Sequence, residues 1–464
     1  MAEDSRALGH TARMSHLLGD AFVYHLYPLG VLGAPARNDF AAAPVQRLDG
    51  LLPWLDSAAQ LGATALYVGP VFESTAHGYD TADYYHVDRR LGDDAAFAAF
   101  SEQVHRHGMK LLLDGVFHHV GRDFWAFRDV LASPEASRYR DWFYLDPNRP
   151  SLYGDPFSYQ GWRGHFDLVK LNVQHPDVKR HLFDAVRSWV ERFQIDGLRL
   201  DAADVLDREF QSELAQVSRG LRADFWLIGE VIHGDYRRWV GPGRLDSVTN
   251  YELYKGLYSS HNDANYFEVA HSLARQFGPN GMYAGMPLYT FADNHDVDRI
   301  ASRLKESNDI YPLHILLFTV PGVPSIYYGS EWGVLGRKTS GSDAPLRQAL
   351  TPSAAASSGA KPDLRASVLR LAALRQTLPA LRRGAYHELA VASQQFAFER
   401  FTDDQRIVIA VNSSAQSCEL RLKLPGSTPG QLLDLLDAER SFAVRDGQVV
   451  LPLPAQSGRI LRHV

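Results

Sequence analysis

The nine residues Ile195-Asp-Gly-Leu-Arg-Leu-Asp-Ala-Ala203 carry the reading of the whole chain. They lie between two helical runs and read as a short β-strand. Strand side chains alternate faces, so Arg199 and Asp201 point one way while Leu198 and Leu200 point the other. A guanidinium two residues away favours the charged form of the Asp201 carboxyl. An ionised, positioned carboxylate at a strand end fits a nucleophile. A structural ion pair at a sheet end fits the same residues, so the flanking sequence has to decide.

Upstream, residues 1–20 read as a short helical or loose leader. Ala21 to Gly30 is a strand ending in a Pro-Gly loop, and Ala63 to Phe72 is a second strand. Between them Leu48 to Leu61 has helical spacing and stops at Gly62, a helix-ending signal. A helix from Asp93 to His107 leads to Lys110 to Phe117, a nearly continuous apolar strand. Alternating helices and apolar strands predict a parallel sheet covered on both faces. Residues 118 to about 174 break the rhythm, and helical spacing resumes at His175 to Phe193.

Downstream of Ala203, strands follow at Phe225 to Val231, Leu245 to Tyr251, Leu288 to Ala292 and Val323 to Tyr328. Eight strand–helix units with one excursion predict an α/β fold, a (β/α)8 TIM barrel with an insert after strand 3. The Ala/Ser stretch near 353–360 reads as a loop, and Lys361 to Gln376 fits the final helix. From Leu378 the pattern turns to short alternating segments: Gln395 to Phe401, Arg406 to Asn412, Cys418 to Leu424 and Gln448 to Leu453. These predict a C-terminal antiparallel β domain. The expected organisation is 1–117 for the first part of the barrel, 118–174 for the inserted subdomain, 175–377 for the rest of the barrel and 378–464 for a C-terminal β-sandwich.

Composition bounds the function. A net charge of −6 with scattered basic residues argues against nucleic acid or an anionic membrane as partner. The single cysteine, Cys418, excludes an intrachain disulfide and a cysteine zinc site. The N-terminus has acids and no apolar signal segment, and no run of 18 apolar residues exists. A cytoplasmic protein is expected.

In a barrel of this type the active site is built from the C-terminal ends of the strands. Those ends offer His77, Tyr79 and Asp80, then Asp114, His118 and His119, then Arg199 and Asp201, then Glu230, then Asn294, His295 and Asp296. Singly, each has an ordinary structural reading, a hydrogen-bonded rim histidine or a loop-capping aspartate. Together, so many carboxylates, imidazoles and a guanidinium on one rim exceed structural need. Two carboxyls in different environments can divide nucleophile and acid roles. Asp201, beside Arg199, is expected to stay ionised. Glu230, between Gly229 and Val231 and less obviously paired, is expected to keep a raised pKa and donate a proton. A retaining glycosidase needs two such groups about 5–5.5 Å apart. Asp296, with His119 and His295, would hold sugar hydroxyls. Trp162, Trp125 and Trp332 are candidate sugar platforms, Trp162 foremost, and each also fits a core position.

These segments resemble the α-amylase family of retaining glycosidases over nearly the whole chain. Asp114-Gly-Val-Phe-His-His119 resembles the family's first motif. Gly197-Leu-Arg-Leu-Asp-Ala-Ala203 resembles the second, which implies Asp201 as nucleophile. Gly229-Glu-Val231 resembles the third, which implies Glu230 as acid/base. Phe291-Ala-Asp-Asn-His-Asp296 resembles the fourth, which implies Asp296 as transition-state stabiliser. His77-Gly-Tyr79 is similar to the segment whose tyrosine stacks under the reacting sugar, and Pro324-Ser-Ile-Tyr-Tyr-Gly-Ser-Glu331 to the eighth-strand motif. The expected substrate-binding residues are His77, Tyr79, His119, Arg199 and His295, with Trp162 as the chosen aromatic platform. Leu168-Val-Lys-Leu-Asn172, Gly229-Glu-Val-Ile-His233 and Gly121-Arg-Asp-Phe-Trp-Ala-Phe127 resemble the neopullulanase, cyclomaltodextrinase and maltogenic amylase group.

Three departures shape the expectation. The first motif ends His118-His119, where many members carry Asn-His and ligate calcium through the amide. Calcium prefers oxygen, so no metal is expected there. The group's N-terminal β domain is expected to be absent, so a homodimer would need another surface. Asp204-Val205 replaces the Lys-His of many starch-liquefying members. The resemblance thus implies a retaining hydrolase of small or cyclic maltooligosaccharides, cleaving mainly α-1,4 bonds, with α-1,6 bonds as a second linkage, without cofactor. Transfer to a sugar instead of water is the alternative, favoured if Val231 and Ile232 make the acceptor side apolar. A non-catalytic carbohydrate-binding barrel is a remote one, since all three carboxylates are present.

Overall fold

A computed structural model describes residues 18–426 and 429–464. Residues 1–17, and with them most of the expected leader, lie outside the described residues. Eight short strands build the central sheet: β1 Val23–Leu26, β2 Ala65–Val68, β3 Lys110–Gly115, β4 Gly197–Leu200, β5 Trp226–Gly229, β6 Ser247–Val248, β7 Tyr289–Phe291 and β8 Val323–Tyr327. They pair in parallel in the order β6-β5-β4-β3-β2-β1-β8-β7. A parallel bridge between Thr249 and Tyr289 joins the two ends. The sheet is a (β/α)8 barrel, and the eight strands fall where the apolar runs predict them.

Strand alternation divides the core in two. Val23, Ala65, Tyr67, Leu112, Trp226, Ile228, Tyr289, Phe291 and Val323 fill the barrel interior. The intervening residues, such as Tyr24, Leu66, Leu111, Leu198 and Leu227, pack outward against the helices. Gly197 is required at its place: a Cβ there would lie 2.6 Å from the Trp226 carbonyl oxygen. Going up the barrel, interior apolar residues give way to polar ones. Asp114 of β3 lies opposite Arg199 of β4 in the register. Leu200 lies opposite Gly229, so the next residues, Asp201 and Glu230, leave adjacent strands side by side.

Between β3 and the helix Pro176–Phe193 the chain makes a helix, Trp125–Ala132, and a three-stranded sheet of His119–Gly121, His165–Lys170 and Gly161–Trp162. The weak periodicity of this stretch hides these elements because the strands are short. Two further expectations need correction. Pro28–Val31 is a helical turn and not an open loop. Pro352–Ser358 is a helix and not a loop: the Thr351 hydroxyl accepts the Ala354 N–H, and Pro352 starts the first turn.

The C-terminal segment forms a six-stranded antiparallel sheet and a two-stranded one, Cys418–Lys423 with Gln448–Leu453. Val408, Ala410, Leu422, Leu432, Leu451 and Leu461 fill the space between them. Four of its strands, Ala385–Val391, Gly430–Asp434, Ser441–Val444 and Ser457–His463, add to those read from the sequence. Among the described residues no helix is long and apolar enough to cross a membrane.

Candidate active site

A cavity of about 430 Å³ opens at the C-terminal mouth of the barrel. Asp201, Glu230 and Asp296 all line it, with His77, Tyr79, His119 and Trp162. Arg199 and His295 do not. They sit one layer below, buried, and hold the groups that do.

Arg199 organises the floor. One terminal nitrogen donates to Asp114 at 2.7 Å and to Asp201 at 3.0 Å. The other lies 3.0 Å from Glu230. The expectation of a less obviously paired Glu230 is therefore corrected, since both carboxyls grip one guanidinium. The planar fork of arginine suits this, since it presents two nitrogens at fixed spacing. Burial pushes the Asp201 carboxyl well above the ordinary range. Arg199 pulls it back, and Glu230, Asp114 and Asp296 add to the rise. One guanidinium here serves three carboxylates. An Asp201 kept ionised by Arg199 alone is therefore too simple, because burial and the neighbouring acids oppose that charge.

The backbone supplies a further hold. Ala202 adopts a left-handed conformation, φ +47°, uncommon for a residue with a Cβ. Its N–H donates to Glu230 at 3.1 Å. The Tyr251 hydroxyl donates to the other Glu230 oxygen at 3.3 Å and accepts from Asn294.

Asp296 is held from below and from the side. His295 Nε2 lies 3.0 Å from one carboxylate oxygen, and Arg347 lies 2.9 Å from the other. Burial opposes its ionisation, but His295, Arg347 and Arg199 outweigh burial and hold Asp296 well below the usual carboxylate range. The His295 ring is sandwiched between Tyr79 and Tyr27, 5.4 and 5.7 Å away and nearly parallel to both. The Tyr79 hydroxyl donates to Asp114 at 2.9 Å and lies 2.5 Å from His295.

On the opposite wall His119 Nε2 faces Asp201 at 3.8 Å, beyond hydrogen-bond length, with no hydrogen-bond partner among the described residues. Burial lowers its pKa, so the ring is neutral. His118 lies 3.3 Å from His119 through their Nδ1 atoms, and burial lowers its pKa to about 4. Trp162 stacks on His165 at 5.5 Å and edges the cavity. The other two tryptophans lie elsewhere. Trp332 is buried against Trp54. Trp125 borders a separate hollow with Tyr139, Trp142 and His181. Val231 is fully buried, so of that pair Ile232 alone reaches the cavity, where Leu168 and Val297 add to its apolar lining.

Tyr251 and Arg347 escaped the sequence reading. Tyr251 lies three residues beyond the C-terminal end of β6, so extending the survey of strand ends to that strand would have found it. Arg347 lies twenty residues beyond β8, where no local pattern marks it.

Residues 41–369 match the family model for the alpha-amylase catalytic domain. The chain belongs to the alpha-amylase family of glycosidases. Neopullulanase 2 of Thermoactinomyces vulgaris is 31% identical over 436 residues, 92% of this chain and 72% of that one. A solved cyclomaltodextrinase superposes with a TM-score of 0.86 at 27% identity, covering 97% of this chain and 78% of that chain. The cyclic α-maltosyl-(1→6)-maltose hydrolase of Arthrobacter globiformis superposes at 0.81 with 25% identity, covering 96% of this chain and 99% of that one.

Proposed function

We propose that this glycosidase hydrolyses α-1,4 and α-1,6 glucosidic bonds in small or cyclic maltooligosaccharides, with retention of configuration. The observation that carries the reading is the single guanidinium shared by Asp201 and Glu230 at the wall of one cavity. Asp201 attacks the anomeric carbon while Glu230 protonates the departing oxygen. Water then cleaves the glucosyl-enzyme with Glu230 as base, so Glu230 gives its proton to the leaving oxygen and regains one from water, while Asp201 forms the ester and is released from it. Arg199 steadies the charge that moves between them. Asp296, held ionised, faces the positive charge that develops on the sugar ring. Tyr79 supplies a ring face, His77, His119 and His295 supply or support contacts to hydroxyls, and Trp162 supplies a stacking wall.

The names of the relatives support the substrate class: pullulan, cyclodextrin and a cyclic tetrasaccharide. The cavity supports it too, since about 430 Å³ is near the low end of the roughly 300–1,000 Å³ of small-ligand sites. A relative named an intracellular maltogenic amylase supports a cytoplasmic setting. The test is digestion of cyclodextrins, pullulan, panose and linear maltooligosaccharides, with the anomer of the first product followed by NMR. The α-anomer from cyclic and short substrates is expected. The β-anomer as first product, or activity confined to long starch, would reject the proposal.

A further inference from the structure

The insert borders the cavity with Trp162, Arg163 and His165. Its strands Gly161–Trp162 and His165–Lys170 pair Trp162 with His165, leaving a two-residue turn, Arg163-Gly164. Both turn residues are left-handed, at φ +45° and +87°. Such a turn suits the twist of a hairpin but favours Asn, Asp or Gly at its first position. Arginine there is strained, and strain that persists points to a use. The Arg163 guanidinium lies 3.0 Å from Asp204, on the loop that follows β4.

Asp204 is tied to the reacting groups through the backbone. Its N–H donates to the carbonyl of Glu230 at 3.2 Å. Arg163, Asp204, Trp162, Glu230 and Ile232 all line the same cavity. An acid that protonates a leaving oxygen stands between the two sugars being parted. On the reading of Glu230 given above, the pair borders the acid that parts the two sugars. Arg163 is about half exposed while Asp204 is mostly buried, and a pair open to solvent on its cationic side is weak enough to yield to competing contacts.

We propose that the Arg163–Asp204 ion pair is the specificity element on the leaving-group side. It closes that end of the cavity, so it admits leaving portions that are short or turn back on themselves. An extended glucan must break it to thread past Glu230. The inference rests on Glu230 being the acid.

The experiment compares kcat/KM for long linear amylose with that for a short maltooligosaccharide in the wild type, Arg163→Ala, Asp204→Asn, the double variant and Arg163→Lys. Thermal unfolding of each variant confirms folding. Breaking an exposed pair is expected to raise the long-to-short ratio about fivefold, mainly through KM. The double variant should add nothing beyond either single one. Arg163→Lys, which keeps the charge, should restore a wild-type ratio. Raising salt should move the wild-type ratio toward the variants, because exposed pairs are screened. An unchanged ratio in both single variants, or an equal change with Arg163→Lys, would overturn the proposal. Glu230→Gln in the same series separates the failures. If that variant is inactive and the ratio is unmoved, only the latch fails. If it turns over normally, the assignment of Glu230 fails first.

Discussion

The two ends of this barrel use buried arginines in opposite ways. At the mouth, Arg199 and Arg347 meet carboxylates: Asp114, Asp201, Glu230, Asp296 and Asp343. At the base, Arg375 and Arg400 meet carbonyl oxygens. Arg375 donates to Phe318, Leu381 and Gly322, and Arg400 to Thr319, Leu381 and Gly384. Those carbonyls belong largely to the ends of the helices Ile310–Thr319 and Pro379–Arg383, where a cation suits the dipole. Burial lowers both basal arginines to about 9, helped by Arg382 at Arg375 and by Arg375 at Arg400. One end spends its cations on arranging acids, the other on sealing backbone. A mouth substitution should therefore damage turnover, and a base substitution should damage the fold.

The strongest break in that comparison is Asp201→Asn. It should lower kcat by at least about a thousandfold while the melting temperature stays near wild type. Near-normal turnover would remove Asp201 from the reaction. At the base, Arg375→Ala should cost about 3 kcal/mol in urea unfolding, because it strands buried carbonyls, with little effect on kcat of the folded enzyme. A catalytic loss without a stability loss would reverse the contrast.

Glu331 sharpens the comparison through pH. It is fully buried next to the barrel wall, accepts the Tyr24 hydroxyl at 2.6 Å, and burial raises its pKa to about 7. An acid whose folded pKa is raised contributes stability fully present below its unfolded value near 4.5. That contribution is lost as pH rises through about 7. Glu331→Gln should flatten the fall in stability between pH 5 and 8, by about 3 kcal/mol at the upper end. Parallel wild-type and variant curves would show that the group does not titrate there. The smallest effect belongs to the outer wall. Trp162→Ala should raise KM for short substrates about tenfold and change kcat less, as loss of a stacking surface would. A fall in kcat alone would place Trp162 in the chemistry.

The fold was legible because its signals are periodic. Apolar strands alternating with capped helices announce a parallel barrel, and Arg199 and Asp201 on one strand face announce its mouth. The pairing of Glu230 was not legible, because Arg199 reaches it across a strand register that no local spacing encodes. Arg347 was invisible for the same reason, being brought to Asp296 by the return of a long loop. Trp125 and Trp332 show the converse. An aromatic residue type is plain in sequence, but its side of the wall is set by packing.

The central claim is that Asp201 forms a covalent bond to the sugar while Glu230 moves the proton. Glu230→Gln treated with α-glucosyl fluoride should trap that bond, since fluoride leaves without acid and the second step lacks its base. Peptide mapping by mass spectrometry should then find one glucosyl unit on the peptide carrying Asp201. Label on another carboxylate, or no label with continued turnover, would contradict the account.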